Sequence, residues 1–208
     1  MRAVIFDLDG TLIDASADLT AKLNRVLAAE GLAPLTLAQV CDMIGDGAPK
    51  LVERGFAARG RAMEPRHLEA FMVLYPQDPA PNTRIYEGIL QVLETLRAQG
   101  RKLGLCTNKP EIATYAVLDE LALTPFFDAV VAGDSTPYRK PDPRHLAATL
   151  AALEVTDAVM VGDHVNDMKA AAALGLPAVF CAWGYGKGVG DARAETPAAL
   201  PDIITRLG

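Results

Sequence analysis

Cysteine is scarce in this chain. Three residues in 208, Cys41, Cys106 and Cys181, are odd in number, widely spaced and free of any CxxC pair. That pattern excludes a disulfide frame and a cysteine-ligated zinc site, and it predicts buried thiols in a reducing cytoplasm. Long apolar runs are also missing: the longest are strand-sized, far below the ~20 residues that cross a bilayer. The opening stretch MRAVIFDLDGTLID lacks a signal-peptide core, because Asp7 and Asp9 interrupt its short apolar run at once. Basic residues are outnumbered, 20 against 26 acidic, for a net charge of −6. An acidic chain has no broad electrostatic footprint for nucleic acid or an anionic membrane, so any anionic ligand must be held at a local site. Internal repeats and low-complexity tracts are absent as well.

What the chain does have is length for about 1.4 domains at about 150 residues each. Five short runs are almost continuously apolar: Ala3–Phe6, Lys102–Cys106, Ala129–Ala132, Ala158–Val161 and Ala178–Cys181. Such runs suit strands buried on both faces, as in a parallel sheet covered by helices. Helix-period segments fall between the later runs. Ile89–Gln99 sets Ile89, Val92, Leu93 and Leu96 on one face before Gly100, and Glu111–Leu121, His145–Leu153 and Asn166–Leu174 behave alike. The alternation predicts a doubly wound, Rossmann-like α/β sheet. The first strand breaks the rhythm. After it the pattern is helical (Asp18–Glu30, Leu37–Ile44, Ala48–Arg59, Arg66–Leu74) until a Pro-rich stretch from Pro76 to Arg84 leads back. The expected organisation is therefore an α/β core of residues 1–14 plus 84–208, with an α-helical insert over residues 15–83.

Asp7 and Asp9 end the first strand. Positions i and i+2 of an extended chain point the same way, so both carboxylates can face one site, and open parallel sheets bind ligands beyond the carboxyl ends of their strands. Polar groups recur at the other strand ends: Thr107-Asn108-Lys109, then Lys140-Pro141, then Gly162-Asp163-His164-Val165-Asn166-Asp167. Each has an ordinary explanation on its own. Asp-Gly marks turns, and Thr107-Asn108 or Asp163 could cap a helix. Taken together at one sheet edge they describe one chemistry. Carboxylates suit a hard cation such as Mg²⁺. A hydroxyl, an amide and a lysine suit a phosphate group. One carboxylate can attack phosphorus while a second protonates the leaving alcohol.

DLDGTL at 7–12, Thr107-Asn108, Lys140-Pro141 and GDxxxD at 162–167 resemble, in order and spacing, the four motifs of the haloacid dehalogenase superfamily. The resemblance implies that Asp7 is the nucleophile and Asp9 the general acid/base. It implies that Thr107 and Asn108 bind the phosphoryl group and that Lys140 stabilises its charge and that of Asp7. Asp7, the Asp9 carbonyl and Asp163 would ligate Mg²⁺, with Asp167 in support, and the helical insert would be a cap over the site. An acid at Asp9 favours phosphate-ester cleavage over dehalogenation, since an alkoxide needs a proton and a halide does not. Within the superfamily the chain looks most like the phosphoglycolate phosphatases. Gly45, Asp46 and Gly47, with the Leu51–Arg54 helix, look like that family's cap loop, and Trp183-Gly184-Tyr185-Gly186 also fits. The expected substrate is a small phosphomonoester such as 2-phosphoglycolate. A phosphatase for another small phosphate, a sugar phosphomutase and a non-catalytic scaffold are the alternatives, and the assembly is expected to be a monomer or homodimer.

Other features read as less specific. Lys50 lies in the insert, but its spacing after Gly45 does not match a Schiff-base lysine. His67 and His145 read as surface or helix-start residues, while His164, beside Asp163, has a possible part at the site. The Gly184–Gly190 stretch fits no nucleotide-binding motif and reads as a loop near the entrance.

Overall fold

A computed structural model describes all residues, 1–208. β1 (Ala3–Phe6) is followed by a two-residue strand, β2 (Ile13–Asp14), and four helices: α1 (Ser16–Ala29), α2 (Leu37–Cys41), α3 (Ala48–Ala57) and α4 (Pro65–Gln77). β3 (Arg84–Ile85) brings the chain back. The alternating part then runs α5 (Ile89–Ala98), β4 (Leu103–Cys106), α6 (Glu111–Glu120), β5 (Ala129–Val131), α7 (Pro143–Ala152), β6 (Ala158–Gly162), α8 (Val165–Ala173), β7 (Ala178–Cys181), β8 (Ala192–Ala194) and α9 (Leu200–Leu207). No helix is long and apolar enough to cross a membrane.

Six strands form one sheet in the order β5-β4-β1-β6-β7-β8, and every pairing is parallel. β1 is central because it is apolar at every position: all four of its residues are buried. Its alternate side chains feed opposite faces. Val4 and Phe6 join a large cluster with α5, α6 and α9, whereas Ala3 and Ile5 join a smaller one with α7 and α8. Ile89, Val92, Leu93 and Leu96 are the buried stripe of α5, each worth roughly 1.5–3 kcal/mol when taken from water.

Between β2 and β3 the chain is helical. Those two strands pair antiparallel, Ile13 opposite Ile85 and Asp14 opposite Arg84, so the chain leaves and returns side by side. Asp18 of α1 pins the return: its carboxylate accepts from Thr83 N at 2.8 Å and from Thr83 Oγ1 at 2.6 Å. Leu23, Phe56 and Phe71 are fully buried and share a cluster of 39 residues with Val4 and Phe6. The helices between β2 and β3 thus join the core with no break in the apolar packing.

Several local expectations need correction. Pro76 and Gln77 belong to α4 rather than to the loop after it. Thr107 and Asn108 do not cap α6, whose N-cap is Pro110. Asp163 does not cap α8 either; His164 does, its Nδ1 accepting from Asn166 N at 3.3 Å. The β2–β3 ribbon, β8 and α9 were not expected at all. Neither His67 nor His145 lies at the surface: they are 2% and 0% exposed. Both do stand in the first turn of a helix, His145 in α7 and His67 in α4, where His67 completes a capping box with Glu64.

Candidate active site

Strand order reverses at β1, so the helices following its two neighbours leave toward opposite faces and a crevice opens at its carboxyl end. Asp7 stands in that crevice, its N–H still bonded to Val161 O at 2.9 Å in the extended ladder. Asp9 lies one turn further on. Gly10 between them and Asp163 permits a close approach: φ is +86°, and a Cβ there would fall 2.3 Å from Asp163 Oδ2. Thr11 Oγ1 donates to Asp163 Oδ1 at 3.1 Å.

The later strand ends converge on the same point. Lys140 Nζ is 2.9 Å from Asp7 Oδ1 and 2.7 Å from Asp167 Oδ1, and it donates to Cys106 O. Its contact with Asp167 is a fully buried ion pair. Asn108 is a hub. Its Nδ2 donates to Gly45 O and Lys140 O, both at 2.9 Å, and its Oδ1 accepts from Lys140 N at 2.9 Å. Thr107 Oγ1 accepts from Lys109 N at 3.2 Å. Asp7, Asp9, Thr107 and Asn108 line one cleft, together with Gly45, Gly47, Leu51, Tyr75 and Lys109.

Charge is unbalanced here. Asp7, Asp163 and Asp167 can bring carboxylate oxygens within 4.8 Å of one another. Burial, then repulsion from Asp7 and Asp167, pushes the Asp163 carboxyl up to about 7. Burial likewise raises Asp167 to about 6, although Lys140 acts against it. Burial alone would depress Lys140, but Asp167 and Asp7 more than reverse that and hold its ammonium charged. Burial raises Asp9 too, partly offset by Lys109, whose Nζ sits 3.0 and 3.1 Å from its two oxygens. Four carboxylates thus share two ammonium groups. An all-oxygen, carboxylate-rich pocket with a charge deficit fits a hard divalent cation.

The remaining expected residues divide. Gly45 and Gly47 line the cleft. Asp46 accepts from Asn166 Nδ2 at 2.7 Å and pairs with Arg54, so its charge is spent on holding this loop against the core. Lys50 does not reach the site: it is exposed and pairs with Glu53 one turn along α3. His164 packs against Gly45, where a Cβ would meet its ring at 2.8 Å. The glycine-rich loop after β7 embraces Asp163, whose Oδ2 accepts from Tyr185 N at 2.8 Å and Gly186 N at 3.2 Å. A Cβ on Gly184 would lie 2.3 Å from Asp163 Cβ.

Four contributors were given no role of their own by the sequence. Lys109 and Tyr75 line the cleft, Asn166 ties down the Gly45–Gly47 loop, and His145 Nε2 donates to Thr107 O at 3.0 Å, bracing that strand end. Lys109 and Asn166 stand in the strand-end stretches already singled out, so only their roles were missed; Tyr75 and His145 depend on contacts far apart in the chain.

Comparison with known proteins agrees with this geometry. A family model for haloacid dehalogenase-like hydrolases matches residues 4–181. A phosphoglycolate phosphatase of Cereibacter sphaeroides is 45% identical over 190 residues, covering 89% of this chain and 87% of its own. One from Caulobacter vibrioides is 44% identical over 188 residues, covering 88% and 79%. Among solved structures, a predicted phosphoglycolate phosphatase from Haemophilus somnus 129PT superposes with a TM-score of 0.90 at 26% identity, covering 98% of this chain and 97% of that one.

Proposed function

This chain belongs to the haloacid dehalogenase-like hydrolase family and is a phosphatase, and we propose that it hydrolyses 2-phosphoglycolate to glycolate and phosphate through a phosphorylated Asp7. The observation that carries the reading is the convergence of Asp7, Asp9, Thr107, Asn108 and Lys140 on one small cleft at the sheet's switch point. Relatives named phosphoglycolate phosphatase support the substrate.

The chemistry follows from the placement. The Asp7 carboxylate attacks phosphorus, the ester P–O bond breaks, and Asp9 gives its proton to the departing alkoxide. Asp9 then takes a proton from water as that water attacks the phosphorylated Asp7. Inorganic phosphate leaves and the Asp7 carboxylate is restored, so proton and phosphoryl group both balance. Thr107 and Asn108 orient the phosphoryl oxygens, and Lys140 supplies positive charge to Asp7 and to those oxygens. Asp7, Asp163 and the Asp9 carbonyl would hold a divalent cation, Mg²⁺ by donor chemistry, while Asp167, engaged by Lys140 and by His164 N–H, stands behind them. Bound there, the ion would offset the repulsion between carboxylate and phosphoryl oxygens, about 4 kcal/mol at ~4 Å and an effective dielectric near 20. The helices between β2 and β3 act as a cap that excludes bulk water from the cleft.

Two measurements test this. Asp7→Asn should lower kcat by on the order of 10⁴-fold or more while leaving the circular dichroism spectrum unchanged; retained turnover removes the mechanism. Chelation should silence phosphate release and added Mg²⁺ restore it, whereas an isomerised product without phosphate release would point to a mutase.

A further inference from the structure

The cleft has two chemically different ends. At one, Asp7, Thr107 and Asn108 meet beside Lys140, and the proposed function places the phosphoryl group there. The other end is formed by Lys109 and Tyr75, with Leu19, Ile44, Ala48 and Leu51 around them. Neither Lys109 nor Tyr75 is needed for phosphoryl transfer as described. Yet Lys109 is 5% exposed and Tyr75 3% exposed. Burying an ammonium costs several kcal/mol unless it is paired, and Lys109 has a single such partner, Asp9.

Lys109 Nζ lies 5.3 Å from the Tyr75 ring centroid, and a second buried lysine, Lys22, lies 5.5 Å from the same ring. Lys22 is tethered elsewhere: its Nζ donates to Asp78 O at 2.7 Å. Lys109 has no such backbone tether, and its polar partner is Asp9 alone. The Tyr75 hydroxyl makes no hydrogen bond within the chain, although Tyr75 lines the cleft. A cation with one partner and an unengaged phenol donor therefore meet in the cleft beside Asp9. An ester with an uncharged alcohol offers nothing to either.

We propose that Lys109 and Tyr75 form the receptor for a second anionic group on the substrate, a carboxylate carried on the leaving alcohol. The spacing is apt. Asp9 addresses the ester oxygen, and Lys109 sits within 3.1 Å of both Asp9 oxygens, so Lys109 lies within reach of a group a few bonds from that oxygen. In a phosphorylated 2-hydroxy acid the carboxylate is one carbon removed from the ester oxygen. The inference rests on the proposed phosphatase reading and adds the residues that choose among its substrates.

The test compares 2-phosphoglycolate with ethyl phosphate, which replaces the carboxylate by a methyl group. In the wild type, kcat/KM should favour 2-phosphoglycolate. Lys109→Met disturbs Asp9 and lowers turnover of both esters, but it should also cut the ratio between them by about tenfold to a hundredfold, the worth of a hydrogen bond to a charged group, chiefly through KM for 2-phosphoglycolate. Lys109→Arg should keep a large part of the ratio. Tyr75→Phe removes one oxygen and nothing else from the packing, and should lower the same ratio by several-fold, roughly what a neutral donor is worth; it carries the test if Lys109→Met does not fold. A wild-type preference that survives unchanged in both variants overturns the inference and spares the proposed substrate. No preference in the wild type overturns both.

Discussion

His145 shows how much one side chain can depend on its partners. Its Nδ1 faces Thr136 Oγ1 at 3.1 Å and its Nε2 faces Thr107 O at 3.0 Å. A carbonyl only accepts, so Nε2 carries a proton, while the single Thr136 hydroxyl proton is contested between Nδ1 and Tyr138 O, 2.9 Å away. Burial, with Lys140 nearby, lowers its pKa below the ordinary 6.5. The folded state therefore resists protonation more than the unfolded chain does. The contribution of His145 is complete above pH 6.5 and is lost as pH falls below it toward the depressed folded value. Melting temperatures between pH 8 and pH 5 should fall more steeply in the wild type than in His145→Gln; equal slopes would refute the assignment. Nothing local betrays this role, since Thr107 is 38 residues away. Asp7, Asp9 and Lys140 stand out in the sequence because they fall in short motifs, and the structure sets Lys140 Nζ 2.9 Å from Asp7, with Asp9 in the same cleft.

Among the elements, the loop after β7 holds the least expected role. Its tight approach to Asp163 leaves no room at Gly184 for a methyl group, so Gly184→Ala must displace either the loop or the carboxylate. A shift of about 1 Å in such a group lowers kcat/KM by roughly 10²-fold, with little change in melting temperature; wild-type kinetics would show that the loop merely passes by. The central strands and amphipathic helices were legible because four or more apolar residues in a row, or a stripe such as Ile89, Val92, Leu93 and Leu96, exceed local noise. Two-residue β2 and β3 carry no period to detect. β8 reads Ala-Arg-Ala, whose central charge hides a strand that pairs with β7 all the same. α9 did carry a stripe in Leu200, Ile203 and Ile204, and Pro201 in its first turn is compatible with it. Proline in the first turn costs nothing, because that N–H has no partner within the helix.

At the scale of the molecule, the apolar packing is continuous from the sheet into the helices between β2 and β3. Residues as far apart in the chain as Phe6, Phe71 and Ile204 belong to one cluster. Such a chain should unfold in a single transition with calorimetric and van't Hoff enthalpies equal; two resolved transitions would mean that the inserted helices melt on their own. The charge deficit in the cleft also acts globally. With a net charge of −6, an anionic substrate is repelled by the overall field and depends on the few cations gathered at the sheet's switch point. Raising the salt concentration should therefore screen that repulsion and raise the association rate modestly; a steep fall would mean steering by a basic surface.

The sheet's two outer strands, β5 and β8, have three residues each. A rim that short offers an incoming strand only about 10 Å of unsatisfied backbone at about 3.3 Å per residue, too little for a foreign segment to register along. Runaway edge-to-edge association is thereby disfavoured by brevity alone, without guard prolines or lysines. The long, apolar strands that would be hazardous if bared are the ones shut inside.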